Sequence, residues 1–211
     1  MRRALVTGGT KGLGLAAARA LAGDGLDVLA TFARDEDAAR AAADEAARGG
    51  LRLAVERCDV TDAAAVERLF ERERDRGFDV LVHAAGFTRD KLMMLMPERD
   101  FDDVIAVHLK GAFLAGRQAM RAMIARRWGR IVLLVSPTAL LGRNGQTNYG
   151  AAKAGVIGLA RARGAARGDR GGGALVVLRR RGVRHGTGAV RRRWTELAGP
   201  RIGTRLSVFW K

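Results

Sequence analysis

Thr7-Gly8-Gly9-Thr10-Lys11-Gly12-Leu13-Gly14, entered from Arg3-Ala4-Leu5-Val6, is the stretch on which the fold turns. Residues 3–7 read as a short buried strand. Residues 13–22 are helix formers that stop at Gly23-Asp24-Gly25, a C-cap and turn signal. A glycine-rich turn between a strand and a helix is the setting that makes dinucleotide binding a hypothesis with a mechanism. Without side chains at Gly8, Gly12 and Gly14, the backbone can bend tightly and approach a pyrophosphate. The following helix offers its first N–H groups to the negative charge. The alternative is an ordinary glycine-rich turn, which the flanking elements disfavour.

Outward from this turn, strand and helix patterns alternate. Residues 27–32 form a second strand, and 35–48 an Ala-rich helix stopped by Gly49-Gly50. The stretch 51–57 alternates apolar and polar, as a strand does. Thr61 is the expected N-cap of a helix through 76, with Val66, Leu69 and Phe70 as its apolar stripe. Residues 80–82 are a fourth strand. A loop through Pro97 leads to a long helix over 98–126 that carries Phe101, Val104, Ile105, Leu109 and Phe113 at helical spacing. A fifth strand at 130–135 precedes a helix ending near 161. This order predicts an α/β fold, a parallel sheet covered by helices on both faces.

The chemistry is carried by Ser136, Tyr149 and Lys153. A phenol is a poor acid at neutral pH, with an ordinary pKa of about 10. Lys153 follows Tyr149 by one helical turn, so its ammonium shares a face with the phenol and favours the phenolate. A hydroxyl at Ser136, ending the fifth strand, can hold a substrate oxygen. A chance Tyr-x-x-x-Lys pair is common in helices; in order with Ser136 and the glycine turn it describes carbonyl chemistry on a bound dinucleotide.

The Gly-x-x-x-Gly-x-Gly spacing together with Tyr149-x-x-x-Lys153 resembles the short-chain dehydrogenase/reductase family. More narrowly, the chain is similar to the 3-oxoacyl-(acyl carrier protein) reductases. Phe87-Thr88-Arg89-Asp90-Lys91-Leu92-Met93, Trp128-Gly129-Arg130-Ile131-Val132 and Gly145-Gln146-Thr147-Asn148-Tyr149 carry that likeness, which spans roughly residues 3–162. It implies a Rossmann-like doubly wound parallel sheet with the C-terminal part of the fold incomplete. It further implies hydride transfer to a ketone, with Tyr149 as proton donor and Ser136 holding the carbonyl oxygen. The expected cofactor contacts are Gly8, Thr10, Lys11, Gly12, Leu13, Gly14, Arg34, Asp59, Val60, Ala85 and Gly86, with Tyr149 and Lys153 at the nicotinamide end. Asp59 matches an acidic residue that meets the adenine amino group. His108 replaces an asparagine that supports a proton-relay water, and an imidazole can bind water too. The family's Asn-Asn-Ala-Gly stands here as His83-Ala84-Ala85-Gly86, with His83 expected to be a packed strand residue.

NADPH is the expected cofactor. The second strand ends Thr31-Phe32-Ala33-Arg34, with a cation where NAD sites place a carboxylate, and Lys11 offers a second charge for a 2′-phosphate. Asp35 speaks for NAD. A loop charge in solvent explains Arg34 equally well.

Composition sets the remaining bounds. No apolar run reaches the roughly 18 residues of a membrane span, and Ala4-Leu5-Val6 is too short for a secretory segment. One cysteine, Cys58, fits a reducing compartment and a buried packing role, so a cytoplasmic protein without a metal site is expected. The net charge of +16 is uneven. Residues 1–162 hold 25 Lys+Arg against 20 Asp+Glu, and residues 163–211 hold 13 against 2. The chain therefore divides into a nucleotide-binding catalytic domain, 1–162, and an Arg/Gly-rich tail, 163–211. Poor order is expected in the tail, apart from a candidate strand at 174–178. The abrupt change suggests a reading-frame shift near residue 162, which translation of the coding DNA in its other frames would reveal. A nucleic-acid role for the tail has charge in its favour, but no aromatic interleaving or motif.

Three functions follow from this. The first is an NADPH-dependent reductase of a 3-oxoacyl thioester, forming homo-oligomers as the family does. Arg126, Arg127 and Arg130 are where an acidic acyl carrier could dock, though a solvated face explains them too. The second is a nucleotide-binding remnant whose aberrant C-terminus has cost it turnover. The third is the nucleic-acid binder.

Overall fold

A computed structural model describes residues 1–161 and the backbone of two further strands at 172–178 and 208–209. The strands are β1 (Arg3–Thr7), β2 (Asp27–Phe32), β3 (Leu53–Arg57), β4 (Val80–His83), β5 (Gly129–Val135), β6 (Gly172–Leu178) and β7 (Val208–Phe209). They form one parallel sheet in the order β3-β2-β1-β4-β5-β6-β7. The chain reverses direction across the sheet at β1, which pairs with both β2 and β4. Ligands of open α/β sheets bind beyond the strand C-termini at such a switch point. The strand expected at 174–178 is present as β6. The two residues of β7 carry no sequence signal. The expected poor order and incompleteness of the rest of the tail lie outside the described residues.

Strand side chains alternate between the faces, so each strand feeds two cores. Leu5, Leu81, Ile131 and Leu133 point to the layer built on α3 (Ala63–Arg72), α5 (Gly111–Ala125) and α7 (Thr147–Arg161). Ala4, Val6, Val28 and Val82 point to the layer of α1 (Gly12–Gly23) and α2 (Glu36–Arg48). Burial on both sides explains why β1 is apolar from Ala4 to Val6. The first residue, Arg3, is itself buried: its guanidinium bonds Asp27 at 2.9 Å and Glu73 at 2.8 Å and lies 4.9 Å from the Phe78 ring centroid.

Two local expectations change. The third helix is capped by Asp62, whose Oδ1 accepts from the N–H groups of Ala64 and Ala65, and it ends at Arg72 rather than 76. Thr61 instead donates through backbone and hydroxyl to Asp59. The long helix is interrupted: α4 (Glu98–Ile105) passes through a π-helical turn, Ala106–Lys110, into α5. Ser136-Pro137 leads directly into a short helix, α6 (Thr138–Leu141), because proline's fixed φ suits a first helical turn.

Candidate active site

The loops after β1, β2, β3, β4 and β5 surround one cavity of about 1050 Å³. Every residue expected to bind cofactor or to catalyse lines it: Ser136, Tyr149, Lys153 and His108 together with the glycine turn, Arg34, Asp59, Val60, Ala85 and Gly86. Residues far apart in the chain are thus brought to one place by the sheet.

The glycine turn has the form an anion cradle requires. A Cβ on Gly14 would lie 2.0 Å from the Gly8 carbonyl oxygen, so α1 starts hard against the turn. Gly12 has φ +51° and open space where a side chain would stand. Lys11 occupies the N-cap of α1 without a side-chain cap bond, which leaves the first helical N–H groups directed at the cavity. A pyrophosphate fits these features.

At the next loop, Asp35 caps α2 through Ala38 N–H and pairs with the Lys11 ammonium. The Lys11 hydrogen bond, followed by that of Ala38, holds the Asp35 carboxyl below its ordinary pKa. Arg34, exposed beside this pair, has no side-chain partner among the described residues. Asp59 is fixed at Oδ1 by Thr61, at 2.9 Å to the N–H and 2.8 Å to the hydroxyl.

At the opposite end, α7 carries Tyr149 and Lys153 one turn apart. The Lys153 ammonium lies 5.7 Å from the Tyr149 ring centroid and donates to the Leu134 carbonyl at 2.6 Å. Burial pushes its pKa down to about 8. His108, on the π-helical turn, meets the Tyr149 ring edge-to-face at 5.1 Å between centroids. Its Nε2 lies 2.7 Å from the Phe87 carbonyl oxygen and 3.2 Å from the Phe87 N–H; in the tautomer that donates across the shorter contact, Nδ1 is a buried acceptor without a hydrogen-bond partner among the described residues. Burial first, and then the Lys153 charge, lowers the His108 pKa to about 4, so the ring is neutral at pH 7. A Cβ on Gly86 would fall 1.9 Å from the His108 ring, so this imidazole requires glycine beneath it. His83 is a packed strand residue, as expected. Its Nδ1 bonds Thr7 Oγ1 at 2.8 Å, and burial, then Lys153 and His108, lower its pKa to about 3.

The sequence did not single out the polar chain behind the serine. Ser136 Oγ donates to Thr138 Oγ1 at 3.2 Å, Thr138 donates to Gln146 Oε1 at 3.2 Å, and Gln146 Nε2 donates to Asp90 at 2.8 Å. Asn148, wholly buried, ties the Arg89 and Asp100 carbonyls to the start of α7 and accepts from Tyr149 N–H at 2.7 Å. Residues 126, 127 and 130 lie at the N-terminal edge of β5, across the sheet from the cavity. Arg126 is engaged there by the Phe78 and Arg76 carbonyls, at 2.6 and 3.2 Å. No helix among the described residues is long and apolar enough to cross a membrane.

A parallel sheet with this strand order, a glycine cradle at its switch point and a Ser, Tyr, Lys cluster beyond β5 defines a Rossmann-like protein. The family model described as short chain dehydrogenase matches residues 2–171, and the chain belongs to that family. It is 40% identical over 160 residues to the 3-oxoacyl-[acyl-carrier-protein] reductase of Escherichia coli, covering 75% of this chain and 64% of that one. It is 41% identical over 158 residues to the enzyme of that name from Synechocystis, covering 74% and 64%. The chain thus spans just under two thirds of the length of these curated relatives. A solved structure from Agrobacterium tumefaciens described as a gluconate dehydrogenase superposes with a TM-score of 0.77 at 33% identity, over 83% of this chain and 71% of that one.

Proposed function

We propose that this chain reduces a 3-oxoacyl thioester to the 3-hydroxyacyl form with NADPH. The observation that carries the proposal is the meeting, in one cavity, of an anion cradle with a phenol that has an ammonium one turn away. Gly8, Thr10, Gly12, Leu13 and Gly14 would hold the pyrophosphate, with Arg34 and Lys11 at the 2′-phosphate and Asp59 and Val60 at the adenine. Lys11 must be shared with Asp35, so Arg34 is the less encumbered of the two cations. Ala85 and Gly86 would pass under the cofactor's central part.

The bound nicotinamide supplies the hydride. Ser136 donates a hydrogen bond to the substrate oxygen and stabilises the charge growing there. Tyr149 gives that oxygen its proton, and the nearby Lys153 charge makes the phenol a stronger acid. His108, neutral and with Nδ1 free to accept, would hold a water that returns a proton toward Lys153. Phe113, Met120 and Ile124 form an exposed apolar stripe along α5, which favours a homo-oligomer.

The test follows NADPH absorbance with an acetoacetyl thioester and a Tyr149→Phe control. Turnover lost in the control supports the proposal. Cofactor binding without turnover in the parent protein would instead support the impaired nucleotide-binding remnant.

A further inference from the structure

His83 has no part in the scheme above, although it is among the largest wholly buried side chains of the molecule. It ends β4 and stands in register with Thr7, the residue that opens the glycine turn. Its Nδ1 lies 2.8 Å from Thr7 Oγ1, so one edge of the ring is pinned to the strand beneath the pyrophosphate cradle. The other edge, at Nε2, is buried without a hydrogen-bond partner among the described residues.

The π-helical turn lies over this ring. Gly111 closes the turn by donating its N–H to the Ala106 carbonyl, five residues back. A Cβ on Gly111 would stand 3.3 Å from His83 Cε1 and 2.8 Å from Val60 Cγ2, so the turn rests directly on the imidazole. Burial first, then the Lys153 and His108 charges, lower the His83 pKa, while the Val107 and His108 backbone works in the opposite direction. Only an acceptor favours a protonated imidazole, so carbonyls of the turn look onto the ring. None of these approaches has the geometry of a full hydrogen bond. The same turn carries His108, whose ring meets that of Tyr149 edge-to-face at 5.1 Å.

We infer that His83 is a positioning residue: pinned to Thr7, it props the π-helical turn and so fixes how the His108 ring stands against Tyr149. This rests on the reductase reading and deepens it, because the neighbour of the proton-donating phenol is then held from the same strand end that carries the glycine turn. A π-helical turn holds one surplus residue, and a backbone carbonyl it exposes inside the protein calls for a donor from elsewhere. With Thr7 donating to Nδ1, the ring hydrogen sits on Nε2, on the edge left for the turn. The buried ring is neutral at pH 7, so the prop adds no repulsion beside the Lys153 ammonium.

The experiment compares His83→Gln and His83→Asn with the parent, each alone and combined with His108→Ala. A glutamine side chain reaches as far as the imidazole Nε2 and can donate to the turn, whereas asparagine ends at the level of Nδ1 and reaches only Thr7. In the reduction of an acetoacetyl thioester, His83→Asn should lower kcat about tenfold through misplacement of the His108 ring, with KM for NADPH unchanged. His83→Gln should keep kcat within about threefold of the parent. In the His108→Ala background the two His83 variants should be alike. Equal losses in both variants, no loss in His83→Asn, or a gap between them that persists without the His108 imidazole overturns the inference and leaves the reductase reading intact. A second readout needs no turnover. With isotope-labelled histidines, the His108 ring resonances should shift in His83→Asn and stay near their parent positions in His83→Gln; unmoved resonances in His83→Asn overturn the inference. If the parent reduces no substrate, the reductase reading fails and these spectra decide the inference. Should His83→Asn not fold, His83→Gln decides: parent-like His108 resonances support the prop, and shifted ones overturn it.

Discussion

Lys153 offers a prediction whose size follows from its burial. The side chain is 5% exposed, and burial lowers its pKa from 10.5 to about 8. Below pH 8 the lysine is protonated in both the folded and the unfolded chain, and the cost of burying its charge is fully present. Between about pH 8 and 10.5 the folded chain has released the proton while the unfolded chain retains it. The unfolded state then binds more protons, so stability rises with pH across this window. At about 1.36 kcal/mol per pKa unit, the whole rise is about 3 kcal/mol. Replacing Lys153 by Met removes this titration. Loss of the bond to the Leu134 carbonyl adds an offset of about 1–3 kcal/mol that does not vary with pH. Urea unfolding of Lys153→Met and its parent, both in a Tyr149→Phe background to remove the phenol's titration, measures the difference from pH 7 to 10.5. The stability of the Met variant relative to the parent should fall by about 3 kcal/mol over that range. A constant difference would show that the ammonium is not desolvated and would undo the electrostatic account of the site.

Two further predictions come from the glycine turn and the start of β1. Gly14→Ala would place a methyl 2.0 Å from the Gly8 carbonyl oxygen, so cofactor affinity by fluorescence titration should fall by at least tenfold; unchanged affinity would show that the turn yields without cost. Arg3→Met leaves Asp27 and Glu73 without the buried guanidinium that joins them. Denaturant unfolding should show a loss of about 3–5 kcal/mol, and a loss under 1 kcal/mol would place the pair in the class of surface bridges.

What the sequence revealed was whatever a residue type and a spacing can carry locally. The glycine turn, the Tyr149–Lys153 pair and six of the strands were legible because turn chemistry and hydrophobic period are properties of short windows. The cap of α3 was misassigned by one residue because Thr61 and Asp62 are both competent caps, and tertiary placement decided between them. The π-helical turn was illegible: its residues are ordinary helix formers, and the His108 position depends on Gly86 and Phe87 from another loop. The same holds for the chain from Ser136 to Asp90, whose Gln146–Asp90 link spans 56 residues.

The π-helical turn also settles a problem of orientation. One surplus residue in a continuous rod rotates everything after it by about 100°. The rod can therefore address two neighbours with two different sides: α4 lies against α7, and α5 lies against β4 and β5. A straight α-helix of the same sequence would satisfy one of these contacts and twist the other away. The imidazole sits at the point where the rotation happens, so the swivel that fits the rod to the body of the protein is also what turns a ring toward Tyr149.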